Sequence, residues 1–145
     1  METTSIFSCS IGTTDKSASL GMEIWLDQDQ IYNNEHITET VEFAHTLSDS
    51  DGEHELRFVM KNKTMDHTTI DETGTITKDA WLTLTNVKLK DVELGQLFVD
   101  QAVYTHDFNG TQPKSVNKFY GEMGCNGTVS LTFTTPIYLW LLEHM

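Results

Sequence analysis

The sequence predicts an all-β fold: an antiparallel β-sandwich of jelly-roll type over residues 20–145, preceded by an extended amino-terminal arm over residues 1–19. Three observations carry this expectation. About eight or nine short segments alternate apolar and polar residues with the period of two that a half-buried strand requires. Turn-forming clusters separate these segments about every 8–12 residues. Thr, Val, Ile and aromatic residues, which suit a pleated surface, dominate them, and no amphipathic helix of about ten residues stands out.

Residues 1–19 are rich in Ser and Thr, with Ile6, Phe7 and Ile11 as the only large apolar anchors, and read as an arm whose anchors meet a partner. From Leu20 the pattern changes. Met22, Ile24 and Leu26 alternate with Glu23, Trp25 and Asp27; Asp27-Gln28-Asp29-Gln30 makes a polar turn, and Ile31 and Tyr32 begin the return strand. A third strand runs from Ile37 through Val41 and Phe43, and Asp49-Ser50-Asp51-Gly52 is a turn before the strand of Leu56, Phe58 and Met60. Residues 62–78 are polar and Thr-rich, and form a surface excursion. Strand character returns at Trp81–Leu89, where Leu82 and Leu84 share one parity but Val87 and Leu89 the other, which predicts a bulge near Asn86.

After Gly95, the stretch Leu97–Tyr104 fits short strands or one helical turn, and Asn109-Gly110 and Asn126-Gly127 suit primed hairpin turns. The last strand, through Val129, Leu131 and Phe133, leads past Pro136 into Ile137-Tyr138-Leu139-Trp140-Leu141-Leu142. Exposed together, these six residues would drive association, so the segment is core or contact surface. Tyr138 and Trp140 are the contact candidates at this end.

The 145 residues suit one domain, with 38% hydrophobic and 10% aromatic content. No apolar run reaches the roughly 18 residues of a membrane span, and Met1–Ser5 has no secretory-signal character, so the chain is expected to stay in the cytoplasm where it is made. Net charge is −13, from 22 acids and 9 bases. Such a surface repels phosphate backbones and acidic membranes, which argues against nucleic-acid and membrane partners and favours solubility, divalent cations or a basic protein surface. Cys9 and Cys125 lack metal-ligand spacing and read as free thiols, with a disulfide between them as the alternative.

The chemical motifs are sparse. Asp49-Ser50-Asp51-Gly52 resembles part of a calcium loop but lacks the third acid and the distal bidentate Glu, so an ordinary acidic β-turn is the favoured reading. Asp27 and Asp29 flank the first turn similarly; with Asp49 and Asp51 they are the metal candidates, and calcium is the only cofactor considered. The six histidines show no HxH or HExxH spacing, no GxSxG turn supports a nucleophile, and carboxylate pairs cannot be placed across a cleft by spacing alone. An enzyme is not expected, and a small carboxylate-based hydrolase ranks last. Trp25, Tyr32 and Trp81 are candidates for stacking on a sugar ring, against a core or subunit-contact role. The N-x-[ST] sequons at Asn62, Asn109 and Asn126 carry no glycosylation argument without a secretion signal.

Two pairs of segments invite comparison with known families. Met22-Glu23-Ile24-Trp25-Leu26-Asp27 with Ile31, and Gly52-Glu53-His54-Glu55-Leu56-Arg57-Phe58, resemble the paired strands of jelly-roll carbohydrate-binding modules, which implies sugar binding and calcium-holding loops. Phe119–Thr128 and Pro136–Glu143 are similar to small structural proteins of tailed bacteriophages, particularly those of cyanobacteria. That second resemblance implies a sandwich that decorates or cements capsids, tails or fibres, grips its neighbours by an arm, and assembles as an oligomer. It also accommodates the missing signal, the acidity, the polar arm and the apolar end together. The leading expectation is therefore a non-enzymatic virion structural protein, with a carbohydrate-binding module, soluble or virion-borne, as the alternative.

Overall fold

A computed structural model describes residues 4–14, 20–48, 52–62, 69–70, 72–73, 76–78, 80–90, 92–106, 115–119, 121–123 and 127–144. In chain order its elements are β1 (Thr4–Thr13), β2 (Leu20–Leu26), β3 (Asp29–Ile37), β4 (Val41–Ser48), β5 (Gly52–Lys61), β6 (Thr69–Ile70), β7 (Ile76–Lys78), β8 (Leu82–Leu89) and β9 (Val92–Glu93). Helix α1 (Gln96–Gln101), β10 (Val103–His106), β11 (Ser115–Lys118), β12 (Glu122–Met123), β13 (Gly127–Thr135) and helix α2 (Ile137–His144) complete it.

The strands form two antiparallel sheets and one small two-stranded ribbon. One sheet has the order β12-β8-β1-β4 with β9 attached to β8; the other runs β11-β10-β13-β5-β2-β3; β6 pairs with β7. Alternation drives the packing of the two sheets. In β5, Leu56, Phe58 and Met60 are buried while Glu55, Arg57, Val59 and Lys61 face away; in β1, Phe7, Cys9 and Ile11 point inward against them. Phe7 meets Phe58 across the gap with ring centroids 5.8 Å apart, and Tyr32 meets Phe43 at 5.1 Å. Helix α1 closes one margin by setting Phe98 between Phe58 and Phe119, edge-on at 6.2 and 5.7 Å. The all-β class and its two-sheet form are thus as the alternation predicts.

The largest departure from expectation concerns residues 1–19. Over residues 4–13 the chain is no arm but an inner strand, paired to β4 from Thr4↔Ser48 through Ile11↔Val41 and on its other side to β8. Phe7 and Ile11 are fully buried, so they belong to the core of their own chain and not to a partner contact. The reason is energetic: burying a Phe or Ile is worth about 1.5–3 kcal/mol each, which no solvated arm would forgo. Of the Ser and Thr residues that gave the segment its polar look, Thr4 is exposed and Ser8 half-buried, while Ser5 and Ser10 are buried with hydrogen-bond partners in Lys90 and Glu42.

The bulge near Asn86 is present. Ser10 pairs with Thr85 but Ser8 with Lys88, so Asn86 and Val87 together face Cys9, with Asn86 at φ 52°. The β2–β3 hairpin also forms, with Asp27 at φ 55° in its turn. The third strand divides differently. Ile37 ends β3 and Val41 opens β4 because the chain crosses between sheets over residues 38–40. Of the open choice at residues 95–104, a helical turn and a strand both occur, as α1 and β10. Most of the 62–78 excursion, Asn109-Gly110 and Asn126 lie outside the described residues, while Gly127 opens β13.

The apolar run Ile137–Leu142 lies in a helix, α2. Its eight residues place Ile137, Trp140 and Leu141 on the core at helical spacing, but apolar Tyr138, Leu139 and Leu142 fill the opposite side. An apolar ring has no amphipathic contrast to reveal its period. Among the described residues no helix is long and apolar enough to cross a membrane.

Candidate interaction surface

Helix α2 follows directly on β13, the strand that brings Phe133 into the core. Trp140 packs edge-on against Phe133 with centroids 6.2 Å apart, and His144 lies 4.9 Å from the Trp140 ring, its Nδ1 donating to the Trp140 carbonyl over 2.8 Å. Trp140, only 3% exposed, is therefore core and not a contact. The other face of the helix is solvent-exposed: Tyr138 at 54%, Leu139 at 58% and Leu142 at 73%. Leu142 lies four residues after Tyr138 and three after Leu139, the spacings of neighbours on a helix surface, so it joins the three side chains into one patch.

Lys90 ties this patch to the beginning of the chain. Its ammonium lies 5.1 Å from the centroid of the Tyr138 ring and donates to Ser5 Oγ at 3.2 Å, while its backbone N–H donates to the Ile6 carbonyl at 2.9 Å. Ile6 is 48% exposed, so two of the five expected contact residues, Ile6 and Tyr138, are at the surface and at the same end of the molecule. Leu139 and Leu142 extend that surface; their signal in the sequence was the apolar run itself. Beside it, between α1 and α2, lies a cleft of about 340 Å³ that includes Leu94, Leu97 and Leu141 with Glu93, Asp100 and His144.

The sugar-stacking candidates do not converge. Trp25 faces outward from its sheet, its Nε1 donating to Glu23 Oε1 at 2.9 Å, with the Arg57 guanidinium 5.5 Å from its ring centroid. Tyr32 lies on the opposite, inner face, because Ile24 pairs with Tyr32 while Trp25 pairs with Gln30. The extra residue, Ile31, slips the register by one and flips Tyr32 toward Phe43. Trp81 precedes β8 in the other sheet, its backbone N–H bonded to Thr14 Oγ1.

Of the four metal candidates, Asp27 and Asp29 are described. Both carboxylate oxygens of Asp27 are engaged within the chain, Oδ2 by His54 Nδ1 at 2.8 Å and Oδ1 by the Glu55 N–H at 2.9 Å, so Asp27 fixes its turn against β5. Asp49 and Asp51 lie outside the described residues. Among the described residues no three His, Cys, Asp or Glu side chains, Asp29 included, gather as a metal site. Cys9 is a buried free thiol whose pKa is pushed up to about 12 by desolvation and, secondarily, by the nearby Glu42.

Around Trp25 the outer face of the sheet carries a charged ladder. Lys61 Nζ lies 3.0 Å from Glu23 Oε2 and 2.7 Å from Glu35 Oε1, and donates to Asn33 Oδ1 at 2.7 Å. Gly21 makes room for it: a Cβ there would come within 2.9 Å of Lys61 Cγ and 3.1 Å of the Asn34 carbonyl. Hydrogen bonding from Lys61 holds Glu23 below the usual carboxylate range despite some desolvation, and the bonds from Lys61 and Asn62 do the same for Glu35. Burial pushes Asp27 up, but the His54 and Glu55 bonds outweigh it and its pKa is lowered. For Lys61 desolvation lowers the pKa, and the bonds to Glu35 and Glu23 raise it on balance.

The signs set a pH window. Carboxylates with depressed pKa stabilise the fold above their unfolded values, about 3.9–4.3, and that contribution is lost as pH falls through the folded values. Lys61 stabilises below its unfolded value, about 10.4, and ceases to do so as pH rises through the folded one. We expect Lys61→Met to raise the acid-unfolding midpoint, followed by circular dichroism between about pH 2 and 5, with a cost at neutral pH of about 1 kcal/mol or less. An unchanged acid limb would remove the ladder from the stability account.

No family model, curated protein or solved structure matches the chain.

Proposed function

We propose that this protein is a non-enzymatic structural protein that decorates or cements a phage particle through protein–protein contacts, made by the outer face of α2. The observation that carries this reading is the apolar patch of Tyr138, Leu139 and Leu142, exposed on a helix whose other face is anchored in the core. A rigidly held apolar patch binds with little ordering cost, and the acidic remainder of the surface keeps the free protein soluble. Between β2 with its turn and β5, Asp27 bonds His54, Glu23 pairs with Lys61, and Arg57 donates to the Asp27 carbonyl, which suits a scaffold better than a reaction site. On this reading the sandwich is of jelly-roll type, the chain is made in the host cytoplasm, and it works as an oligomer in the virion.

In cells assembling tailed-phage particles, a tagged copy is expected to co-sediment with the particles on a density gradient. Leu139→Glu/Leu142→Glu is expected to move it to the soluble fraction, the loss of two Leu contacts weakening binding roughly a hundredfold, with its melting temperature unchanged within a few degrees. If the wild-type chain stays soluble, or the double variant still co-sediments, the reading fails.

A second reading, glycan binding with or without calcium, is favoured by one observation: Trp25 is partly exposed on the outer face of its sheet beside Glu23, Gln30 and Arg57. Glycan-array binding that disappears in Trp25→Ala would support it. An array with no signal for the wild-type chain would remove it.

A further inference from the structure

Sheet edges expose unpaired backbone groups, and proteins blunt them with bulges, charges, Pro or short strands. The edges here differ in how well they are guarded. β3 is interrupted by two register shifts and carries Asp29 and Glu35, and β9 and β12 are two residues each. β4 is eight residues long, without a bulge or Pro, and carries a single acid. It pairs with β1 in unbroken register over its whole length, and among the described residues no strand pairs with its other side. Its one acid, Glu42, is turned back over β1, accepting a 2.7 Å hydrogen bond from Ser10 Oγ, which in turn accepts one from Asn86 Nδ2 at 3.3 Å. The strand is therefore long and regular, and its single acid, the exposed Glu42, is hydrogen-bonded within its own sheet.

The same margin leaves apolar surface half-covered. Val41 and Phe43 pack on the core yet remain partly exposed, as do Tyr32 and Ile31 on the neighbouring edge of the other sheet. Phe43 lies 6.2 Å from Phe7, 5.1 Å from Tyr32 and 6.5 Å from His45, onto which it stacks at 4°.

We propose that β4 is a dimerisation edge: two copies of this chain pair antiparallel through Val41–Ser48 about a two-fold axis at Ala44, joining their five-stranded sheets into one. The strand is self-complementary in this register. A two-fold axis perpendicular to the sheet keeps both inner faces on one side, so the inner residues Val41, Phe43, His45 and Leu47 must face inner residues of the mate. Registers centred on Ala44 or His45 keep nearly the whole strand paired. The second sets His45 against itself. Centring on Ala44 instead sets Phe43 against the partner's His45, Val41 against the partner's Leu47, and Glu42 against the partner's Thr46, with only the small Ala44 meeting its own copy. Aromatic and aliphatic cross-strand pairs of this kind stabilise a sheet, and no like charges face each other. The net charge of −13 per chain opposes the approach of two copies, so the dimer tightens as salt is raised from about 10 to 150 mM.

The test uses the full chain. Sedimentation equilibrium is expected to show a dimer, and Ala44→Lys, which sets two ammonium groups face to face on the axis at an exposed position, is expected to be monomeric with an unchanged circular dichroism spectrum. Register is read by disulfide trapping in a Cys125→Ser background, with Cys9 left in place because it is buried. Ala44→Cys is expected to cross-link under mild oxidation and Thr46→Cys is not. A wild-type chain that is monomeric up to about 1 mM, or an Ala44→Lys chain that dimerises as well as wild type, overturns the proposal. Thr46→Cys cross-linking as fast as Ala44→Cys overturns the register. Leu142→Glu leaves the dimer intact, so this edge and the α2 contact succeed or fail separately.

Discussion

A chain lacking residues 1–13 will not fold. The loss removes β1 from the interior of its sheet, and with it the ladders to β4 and to β8. β4 would then have no strand neighbour among the described residues, since β1 is the only strand it pairs with. Each net hydrogen bond is worth about 0.5–1.5 kcal/mol, and burial of Phe7 and Ile11 adds about 1.5–3 kcal/mol each. Together these exceed the roughly 5–15 kcal/mol by which a domain is stable. The truncated protein is expected to be insoluble or, if recovered, to lack a cooperative thermal transition and near-ultraviolet dichroism. A soluble truncation that melts cooperatively would return residues 4–13 to the status of an arm. The experiment therefore separates a strand from a grappling segment, which an oligomer that merely dissociated would not do.

Phe58→Ala is expected to be the most damaging single substitution of those considered. Phe58 is fully buried on β5, between β13 and β2, and its ring joins both layers: Phe7 of the opposite sheet at 5.8 Å and Phe98 of α1 at 6.2 Å. Removing it leaves a cavity where a sheet, its opposite sheet and a helix meet, and none of the three can close it without losing register. The cost is about 3–5 kcal/mol, a fall of roughly 6–20 °C in melting temperature for a domain of this size. Calorimetry checks this directly. A fall under about 3 °C would mean that the site collapses around the deletion, and that Phe58 is not a keystone between the layers.

The parts of this fold that were legible in the sequence are those decided by neighbours along the chain. The β2–β3 hairpin follows from alternation on either side of an acidic turn, and the bulge at Asn86 from the parity change between Leu84 and Val87. The inward face of β5 was visible as the alternation of Leu56, Phe58 and Met60. The candidate site was half legible: the apolar terminal run announced a buried or contacting segment, and Tyr138 is indeed exposed, but nothing local says which of six apolar residues faces in. Only docking against Phe133 assigns Trp140 to the core and leaves Leu139 and Leu142 outside.

Long-range pairing decided the rest. β1 has the composition of an arm, and becomes an inner strand only because β4 and β8, distant in sequence, supply ladders on both sides of it. Tyr32 lies on the face opposite Trp25 because one extra residue, Ile31, bulges out when β3 pairs with β2. By itself the sequence determined strand periods, turn positions and the acidic surface, since each depends on side-chain order within a few residues. The tertiary structure alone decided which strands are inner, which edges are open and which face of the last helix meets solvent, because burial and pairing are properties of segments brought together from across the whole chain.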